Sequence, residues 1–410
     1  MPQEREITQT LRTDIDRDSQ QIQDLFVRML RIKAVNPRMG GPGEGERADF
    51  LESFLKKEGF STTRFDADDR ELGKKRPNIM ARLEGRSQKS LWFIAHMDTV
   101  PEGSRELWNS DPFEPVVKDG KITARGAEDN GQALVSSIFA LRELRRLDAK
   151  LPFNVGIWLV SDEEFGSDYG IKQLLAQKRF RADDLVIVPD SGTPKGDEVE
   201  IAEKGLLWMK FTTKGKQVHA SLPSKGLNAR RIGMRLAIEV DRFLAEKYSA
   251  KDSLFTEQLS TFEPTKAEPN VANINTIPGL DVSYFDCRVL PRYNLDDVVS
   301  DVQAVVQKHE KSSGANITLE LVQKEPAGPT TPQTSEVAVL LSKAVRVATG
   351  MKPRLVGIGG QTVGNLFRRD GIPTAVWSTI ADVPHEPNEY SIIKNLISDT
   401  ITFAAIPLLA

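Results

Sequence analysis

Several features that would define a special class of protein are scarce in this sequence. Among 410 residues there is one cysteine, Cys287, so no internal disulfide can form and a reducing compartment is expected. No apolar run approaches the roughly 18 to 20 residues that span a bilayer. The first twenty residues lack the apolar segment of a secretory signal. We therefore expect a cytoplasmic protein without a membrane segment.

An excess of charge of one sign is also lacking. The 55 Lys and Arg residues nearly balance the 58 Asp and Glu residues, and the formal net charge is -3. Nucleic acids and anionic membranes bind proteins through an excess of basic residues, so neither is an expected partner. Small-molecule chemistry is the remaining expectation. Because the chain has only four histidines, the position of each one is informative.

The sequence does contain enough apolar residues for buried cores. Hydrophobic residues make up 39% of the chain, and the length predicts roughly two to three domains. In the first half, short apolar runs alternate with helical patterns, which favours an α/β domain with a mostly parallel sheet flanked by helices. The predicted strands are 78–83, 91–95, 153–160 and 185–188, and the predicted helices are 22–30, 47–57, 132–147 and 169–177.

The pattern changes after residue 205 to the order β-α-β-β-α-β, which is typical of a ferredoxin-like α+β domain. A Pro- and Thr-rich segment at 325–335 then reads as a return linker, and alternating helices and strands resume up to residue 410. We predict a discontinuous domain of residues 1–205 and 326–410 with an inserted domain of residues 206–325. The elements predicted within the insertion are strand 206–213, helix 228–245, strands 271–276 and 281–290, helix 295–310 and strand 316–322.

Polar residues follow the ends of the predicted strands. His96 and Asp98 come directly after the strand at 91–95, and residues i and i+2 of an extended chain project from the same face. A metal-binding imidazole needs its second nitrogen held by a carboxylate or a carbonyl, and the sequence leaves both alternatives open for His96. Taken alone, the pair could equally be a polar strand end.

Asp129 lies in a glycine-flanked turn just before a predicted helix. Such a turn can point a carboxylate into a cleft, but an aspartate here can also be a helix N-cap, and position alone does not separate the two. Three acids, Asp162, Glu163 and Glu164, follow the next strand. They repel one another unless a cation or proton neutralises them, although a solvated loop is the alternative.

Two more candidates follow later strands. Asp190 comes after the strand at 185–188, and His385 lies in the loop VPHEPNEY at 383–390. In open α/β sheets, sites form at the carboxyl ends of the strands, where all these residues are expected. Imidazoles and carboxylates without a thiolate suit zinc, cobalt or manganese, and five ligands exceed what one open zinc site uses. Two metals that share one carboxylate would use them all: His96, Asp129, Glu164, Asp190 and His385.

These motifs together resemble a known family. The segments HMDTVP at 96–101, GAEDNG at 126–131, DEEFGS at 162–167, PDSG at 189–192 and PHEPNE at 384–389 occur in this order over nearly the whole chain. They are similar to those of the M20 metallopeptidases and amidohydrolases, a group with acetylornithine deacetylase, succinyl-diaminopimelate desuccinylase, aminoacylase-1 and glutamate carboxypeptidase. The resemblance implies a zinc-exopeptidase-like catalytic domain and an inserted lid or dimerisation domain.

The resemblance also implies roles for individual residues. One metal would be held by His96, Asp129 and Asp190, and the other by Asp129, Glu164 and His385, so that Asp129 bridges. Asp98 would be the second partner of His96. Glu163 would be the general base that takes a proton from the metal-bridging water. The metals would be two divalent ions, with zinc favoured over cobalt or manganese.

The inserted domain carries further implied roles. The segment GKQVHASLP at 215–223 resembles the lid motif whose histidine, here His219, stabilises the oxyanion, often in the partner subunit's active site. Asn273 and Arg288 resemble positions that bind the substrate's carbonyl and carboxylate, although Arg288 could instead form a salt bridge near Asp286. Gly359 and Gly360 match a glycine-rich pocket loop. At Gln361 and Thr362 the chain departs from the common Thr-Asp, which argues against recognition of a basic side chain.

We predict a homodimeric, two-metal hydrolase that cleaves an amide or peptide bond next to a free carboxylate. Its substrate would be a dipeptide or an N-acyl amino acid. The alternative is a non-catalytic metal-binding or peptide-binding paralogue. That alternative is disfavoured because the ligands, the base and the lid histidine are all present. The remaining histidine, His309, lies in a polar helix end and is expected to be solvated.

Overall fold

The computed structural model describes residues 2–410, and these form two compact units. Unit 1 contains the chain up to residue 201 together with 331–355 and 362–410, and unit 2 contains 202–330 and 356–361. The boundaries therefore lie a few residues from the predicted 205/206 and 325/326. The short segment 356–361, which includes Gly359 and Gly360, groups with unit 2 and not with the discontinuous domain.

The helices and strands alternate along most of the chain. The helices are α1 (Pro2–Arg17), α2 (Ser19–Leu30), α3 (Gly45–Lys57), α4 (Ala133–Arg146), α5 (Ile171–Ala176), α6 (Ala229–Lys247), α7 (Leu295–Ser313), α8 (Glu336–Thr349), α9 (Gly364–Arg369) and α10 (Ile393–Ala405). The strands are β1 (Thr62–Asp69), β2 (Lys74–Leu83), β3 (Ser90–His96), β4 (Val116–Lys118), β5 (Lys121–Thr123), β6 (Asn154–Val160), β7 (Leu185–Thr193), β8 (Glu198–Glu203), β9 (Gly205–Lys214), β10 (Val218–His219), β11 (Thr261–Ala267), β12 (Thr276–Ile277), β13 (Leu280–Val289), β14 (Asn316–Glu325), β15 (Arg354–Ile358), β16 (Thr374–Thr379) and β17 (Tyr390–Ile392).

The large sheet has eight strands in the order β1-β2-β6-β3-β7-β16-β8-β15. Its central strands β6, β3, β7 and β16 are parallel, whereas β1 pairs antiparallel with β2, β2 with β6, and β8 with β16. The α/β class is confirmed, with the parallel part at the centre of a mixed sheet. The central strands are buried on both faces, which is why they appear in the sequence as continuous apolar runs.

Strand β1 and helix α1 are among the elements of unit 1 that were not predicted. Strand β1 has the sequence TTRFDADD and lies at the sheet edge, where charged side chains reach solvent and no apolar run is needed. Helix α1 precedes the first predicted helix and contacts α10 and α8. Within residues 2–410, no helix combines the length and the apolar character needed to cross a membrane.

Unit 2 contains a four-stranded antiparallel sheet in the order β11-β13-β9-β14. Helices α6 and α7 contact each other and the sheet, and their apolar faces form one core with it. The chain order β9-α6-β11-β13-α7-β14 is the predicted ferredoxin-like order. Representative core residues are Leu207, Phe211, Val240, Phe285 and Val302.

The predicted strand at 271–276 is wrong. The second strand of the four-stranded sheet, in chain order, is β11, and 270–275 is mostly an exposed loop that precedes the two-residue β12. Strand β11 contains Pro264 and several exposed polar residues, which hide the strand pattern in the sequence. An edge strand tolerates proline because its outer N–H groups need no partner, and β11 is at the edge.

Candidate active site

Three neighbouring parallel strands bring polar side chains to one edge of the unit 1 sheet. Strand β3 ends at His96 and lies between β6 and β7. Because the carboxyl ends of parallel strands meet at one edge, His96, the turn after β6 and Asp190 in β7 come together. His96 Nε2 lies 3.4 Å from Oδ1 of Asp190, and His96 is only 3% exposed.

Asp129 contacts both histidines of the cluster. Its Oδ1 lies 2.9 Å from Nε2 of His96, and its Oδ2 lies 3.1 Å from Nε2 of His385. His385 Nε2 is also 3.2 Å from Oε2 of Glu164. The backbone of Asp129 is not helical, and α4 begins only at Ala133. The alternative that Asp129 is a helix N-cap is therefore wrong.

The carboxylates and imidazoles shift one another's protonation. Burial acts against a charged imidazole, but the carboxylates of Asp190 and Asp129 raise the pKa of His96 well above its usual value. Hydrogen bonds to Asp129 and Glu164 raise the pKa of His385 to about 10. Burial, with repulsion from Asp129, raises the pKa of Glu164 to about 7. All three pKa values are raised, which means that the cluster favours the binding of positive charge.

Glu163 lies beside the same cluster. One of its carboxylate oxygens is within 4.8 Å of ligand atoms of His96 and Asp190. Burial, together with repulsion from Asp190, raises the pKa of Glu163 well above its usual value. The acid run after β6 therefore places two adjacent glutamates, Glu163 and Glu164, at the histidines.

Asp98 supports the turn that carries these two glutamates. Its carboxylate accepts hydrogen bonds from the backbone N–H groups of Glu163 at 3.0 Å and Glu164 at 3.2 Å, and from Nδ2 of Asn36 at 2.7 Å. Nδ1 of His96 lies 3.0 Å from the carbonyl oxygen of Asp98 and 3.6 Å from its carboxylate. The backbone carbonyl is thus the nearer of the two partners that the sequence left open for His96.

Asp162 belongs to a buried network behind the same turn. Its Oδ1 accepts hydrogen bonds from Nδ2 of Asn36 and Nη2 of Arg76, both at 3.1 Å. Arg76 also donates to both carboxylate oxygens of Glu44, at 2.5 and 2.9 Å. Sequence reasoning missed Asn36, Glu44 and Arg76. Strand β2 also carries Lys74, Lys75 and Arg82, so the sequence does not single out Arg76. Its burial explains the acidic partners, since a buried arginine needs them.

In unit 2, His219 and Asn273 lie on two adjacent exposed segments. His219 in β10 pairs with Thr276 in β12, and the N–H of Ala220 donates to the carbonyl of Asn275 at 2.8 Å. The imidazole Nδ1 of His219 lies 2.7 Å from Oγ of Ser221, and Asn273 Nδ2 donates to Asn275 Oδ1 at 3.0 Å. Both side chains remain exposed.

Arg288 forms the salt bridge that was the alternative for it. Its Nε and Nη2 donate to the two carboxylate oxygens of Asp286, at 2.6 and 3.0 Å. Its Nη1 lies 3.4 Å from the carbonyl oxygen of Gly359. Among the described residues, a β-carbon added to Gly359 would meet no atom within 4 Å, and one added to Gly360 would make ordinary contact. Packing within unit 2 therefore does not require these two glycines.

Two further polar residues of unit 2 are bonded within it. Gln361 donates to the carbonyl oxygens of Lys204 at 2.8 Å and Glu325 at 3.2 Å, so its side chain fastens three chain segments. The prediction that His309 is solvated is wrong. Its Nε2 lies 2.8 Å from Oε2 of Glu239 and its side chain is 14% exposed, because α7 and α6 face each other there.

Comparison with known proteins identifies the family. Residues 92–407 match the model of peptidase family M20/M25/M40. The chain belongs to this family. An uncharacterized metallohydrolase of Methanocaldococcus jannaschii is 39% identical over 90% of this chain and 94% of its own. A succinyl-diaminopimelate desuccinylase of Nitratiruptor sp. is 27% identical over 89% of this chain and 93% of its own.

A solved structure shows the same fold over nearly the whole chain. The dipeptidase Dug1p from Saccharomyces cerevisiae superposes with a TM-score of 0.74 at 17% identity, covering 98% of each chain. The chain is thus a metallohydrolase or peptidase of the M20 type, as its motifs indicated.

The donor set of this M20 chain fits two divalent cations. One ligand atom from each of His96, Asp129 and Glu164 lies within 4.8 Å of the other two, and the same holds for His96, Glu163 and Asp190. Imidazole and carboxylate without thiolate suit zinc, cobalt or manganese. Asp129 directs a different oxygen towards each histidine, which is the arrangement that a carboxylate shared by two cations requires.

Proposed function

We propose that this M20 hydrolase uses two divalent cations to cleave an amide or peptide bond next to a free carboxylate. The observation that carries the proposal is the placement of Asp129 between His96 and His385, with one carboxylate oxygen on each imidazole. His96, Asp129 and Asp190 would hold the first cation. Asp129, Glu164 and His385 would hold the second.

Zinc is the favoured metal, because a mixed imidazole and carboxylate set with open positions is typical of catalytic zinc. When bound, the two cations would supply Lewis acidity to the scissile carbonyl and acidity to the attacking water. The residues around the ligands supply orientation. The carbonyl of Asp98 fixes the ring of His96 through Nδ1, so that Nε2 faces the cluster.

Glu163 is the proposed general base. It lies next to the ligand Glu164 on a turn whose backbone is fixed by Asp98. Burial and repulsion from Asp190 raise the pKa of Glu163, which makes its carboxylate a stronger base that can take a proton from the water and pass it to the leaving amine. A well-placed carboxylate of this kind contributes about 10² to 10⁴ in rate.

The residues of unit 2 are proposed to face the substrate. His219 would donate a hydrogen bond to the developing oxyanion, and Asn273 would bind the substrate carbonyl. Arg288 would bind the free carboxylate beside the loop of Gly359 and Gly360. Because Asp286 occupies two donors of Arg288, the carboxylate would meet Nη1, which makes only a 3.4 Å contact with the Gly359 carbonyl.

Two substrate classes fit this arrangement. The relative named a succinyl-diaminopimelate desuccinylase supports an N-acyl amino acid, and the structurally similar dipeptidase supports a dipeptide. Both contain an amide bond near a free carboxylate. The uncharged Gln361 and Thr362 in the glycine-rich loop disfavour a substrate with a basic side chain at this position.

The test is a release assay for free amine. The full-length protein is given dipeptides and N-acetyl, N-succinyl and N-carbamoyl amino acids with added Zn²⁺, Co²⁺ or Mn²⁺. We expect metal-dependent cleavage of one class, and loss of about 10² to 10⁴ in kcat in Glu163→Gln with metal content unchanged. Wild-type turnover in Glu163→Gln would contradict the role of Glu163.

Asp184→Asn is a matched control, because this buried carboxylate lies at the amino end of β7, opposite the ligand edge. It should keep kcat. A wild-type protein that binds two metals and cleaves nothing across a widened panel would support the non-catalytic paralogue instead. The expected homodimer is tested separately by sedimentation equilibrium, where a monomer would require His219 to act in its own chain.

A further inference from the structure

Three buried charged residues outside the proposed ligand set connect two distant segments of unit 1. Arg125 and Glu128 lie on the turn 125–129, which carries Asp129, and Glu389 lies on the loop 381–389, which carries His385. These segments are 260 residues apart in the chain. Arg125, Glu128 and Glu389, here called the clasp, are 1%, 7% and 0% exposed.

Glu389 reaches from the loop to the turn. Its Oε1 accepts hydrogen bonds from the backbone N–H groups of Glu128 at 2.7 Å and Asp129 at 3.0 Å. Its Oε2 accepts from the backbone N–H of Gly126 at 2.9 Å and from Nη1 of Arg125 at 2.8 Å. Each oxygen therefore has two donors, which compensates a buried carboxylate for the loss of water.

Glu128 reaches back from the turn to the loop. Its Oε1 accepts a hydrogen bond from the backbone N–H of Val383 at 2.8 Å, and its Oε2 accepts one from the N–H of Ala381. Nη2 of Arg125 donates to the carbonyl oxygen of His385 at 3.1 Å. The two glutamates thus bind the backbone of each other's segment.

The loop needs such support to keep its shape. Asp382, His385 and Asn388 have φ values of 65°, 62° and 62°, in the left-handed region. Residues other than glycine keep this conformation only where their surroundings impose it. The side chain of His385 is 54% exposed, so its own packing cannot supply the constraint. The hydrogen bonds of the clasp can.

We propose that the clasp positions His385 against Asp129 and thereby sets the geometry of the second metal subsite, an inference that rests on the proposed two-metal function. The backbone N–H of Asp129 binds Glu389, while its carboxylate contacts His385. The first subsite depends less on the clasp, because His96 and Asp190 come from strands β3 and β7. Arg125, Glu128 and Glu389 are positioning residues, since they act through the ligands.

Glu389→Gln tests this proposal by metal binding alone. The amide keeps one acceptor oxygen, and its NH₂ group would face two of the four N–H donors, so the turn and the loop should separate. The metal-depleted full-length protein is titrated with Co²⁺, followed by visible absorption and by competition with a chelator. We expect the first equivalent to bind as in wild type and the affinity for the second to fall about 10- to 100-fold.

Turnover provides a second readout. In Glu389→Gln we expect kcat to fall, to recover at higher Co²⁺ concentration, and KM to stay near the wild-type value. A variant that binds both equivalents with wild-type affinity would overturn the proposal. So would a loss of kcat that added Co²⁺ does not restore.

Asp184→Asn is the matched control. The Asp184 carboxylate is also buried and accepts three N–H donors, from Ser90 at 2.8 Å, Trp92 Nε1 at 2.9 Å and Arg181 at 3.0 Å. Its loss should lower stability and leave both Co²⁺ equivalents unchanged. If it weakens the second equivalent as much as Glu389→Gln does, the effect is a general one and the clasp has no specific role.

Amide hydrogen exchange on the metal-free protein separates this proposal from the proposed function. Because each glutamate binds the other's segment, Glu389→Gln and Glu128→Gln should each accelerate exchange at both 126–129 and 381–383. Acceleration limited to the segment that the altered residue binds would refute the reciprocal clasp. If exchange behaves as expected but the wild-type protein cleaves no substrate, the clasp stands and the catalytic proposal alone fails.

Discussion

The metal cluster of unit 1 and the substrate-facing residues proposed in unit 2 differ in how firmly their surroundings hold them. His96 and Asp98 are 3% and 0% exposed, and each is bonded to other buried groups. In unit 2, the side chains of His219 and Asn273 are exposed, and the hydrogen bonds described for them go to close sequence neighbours. The surroundings of the metal cluster thus hold its side chains in place without a ligand, whereas the side chains of His219 and Asn273 are less constrained.

This difference follows from what each region must bind. A cation has short, directional contacts with its ligands, so a loose cluster would lose affinity and a surrounding shell of hydrogen bonds is needed. A substrate is larger and variable, and side chains that meet it can form their contacts on binding. We therefore expect changes in the buried network that holds the metal ligands of unit 1 to affect metal binding and stability together, and changes at His219 or Asn273 of unit 2 to affect turnover alone.

The largest expected effect is that of Asp129→Ala, which removes the carboxylate between the two imidazoles. Each cation would lose a ligand, and loss of metal stabilisation worth several kcal/mol corresponds to about 10³-fold or more in kcat/KM. Metal content by mass spectrometry should fall below two equivalents. Asp168→Ala, at an exposed carboxylate just after the acidic turn, should keep both metals. Two retained equivalents in Asp129→Ala would contradict the shared role.

The second largest expected effect is on stability, in the buried network of Glu44, Arg76 and Asp162 behind the acidic turn. Glu44→Gln breaks its fully buried pair with Arg76, and removing one member of such a pair costs about 3 to 5 kcal/mol in the free energy of unfolding. Urea unfolding measures this loss. Glu71→Gln breaks the solvent-exposed pair with Arg38 and should cost less than about 1 kcal/mol. Equal costs in the two variants would remove the contrast between buried and exposed regions.

His219→Ala should show the opposite profile. We expect kcat to fall about 10²- to 10³-fold through loss of an oxyanion donor, with a change of less than about 0.5 kcal/mol in the free energy of unfolding because the side chain is exposed. His309→Ala is the control, since this half-buried histidine pairs with Glu239. It should lose stability and keep kcat. A destabilised His219→Ala variant would show that the side chain of His219 makes contacts that stabilise the fold.

The smallest expected effect concerns pH. The carboxylate of Asp399 is buried and accepts hydrogen bonds from Gln132, Ser378 and Thr379, and burial raises its pKa to about 6. The folded state then binds more protons than the unfolded state between about pH 4 and 6, so stability falls as pH rises through this window, by up to about 3 kcal/mol.

Unfolding measurements at several pH values check this expectation. In Asp399→Asn, the contribution of this carboxyl group to the pH dependence of the free energy of unfolding should disappear. The difference in the free energy of unfolding between variant and wild type should level off above about pH 7. An unchanged pH profile in the variant would show that Asp399 is not the group responsible.

Much of the fold was predictable because buried parallel strands leave a plain signal. Strands such as β3 and β6 appear as apolar runs, and their boundaries match the prediction within a few residues. The edge strands β1 and β11 gave no such signal. The charges of β1 and the Pro264 of β11 obscured them, while the loop at 271–276 was mistaken for a strand.

The candidate ligands could be proposed from the sequence because each lies at the end of an apolar run, in a glycine-flanked turn or in a loop that follows a predicted strand. The residues that hold them were not. Glu389 and Arg76 form hydrogen bonds with residues that are distant in the chain. A single sequence does not show which acidic side chain binds which hydrogen-bond donor. The Asp98 carbonyl, which lies nearest to His96 Nδ1, could not be predicted either, since a backbone atom has no identity in the sequence.

The grouping of residues 356–361 with unit 2 matters for any experiment that exchanges unit 2 between related proteins. The chain passes between the units at 201/202, 330/331, 355/356 and 361/362. Unit 2 is therefore built from two separate chain segments and is not a single continuous insertion. Gly357 donates its N–H to Leu254 and the N–H of Lys204 donates to Ile358. A shortened protein that lacks 202–330 would expose the second half of β15 without these partners. Swapping unit 2 between relatives therefore requires moving 356–361 with it.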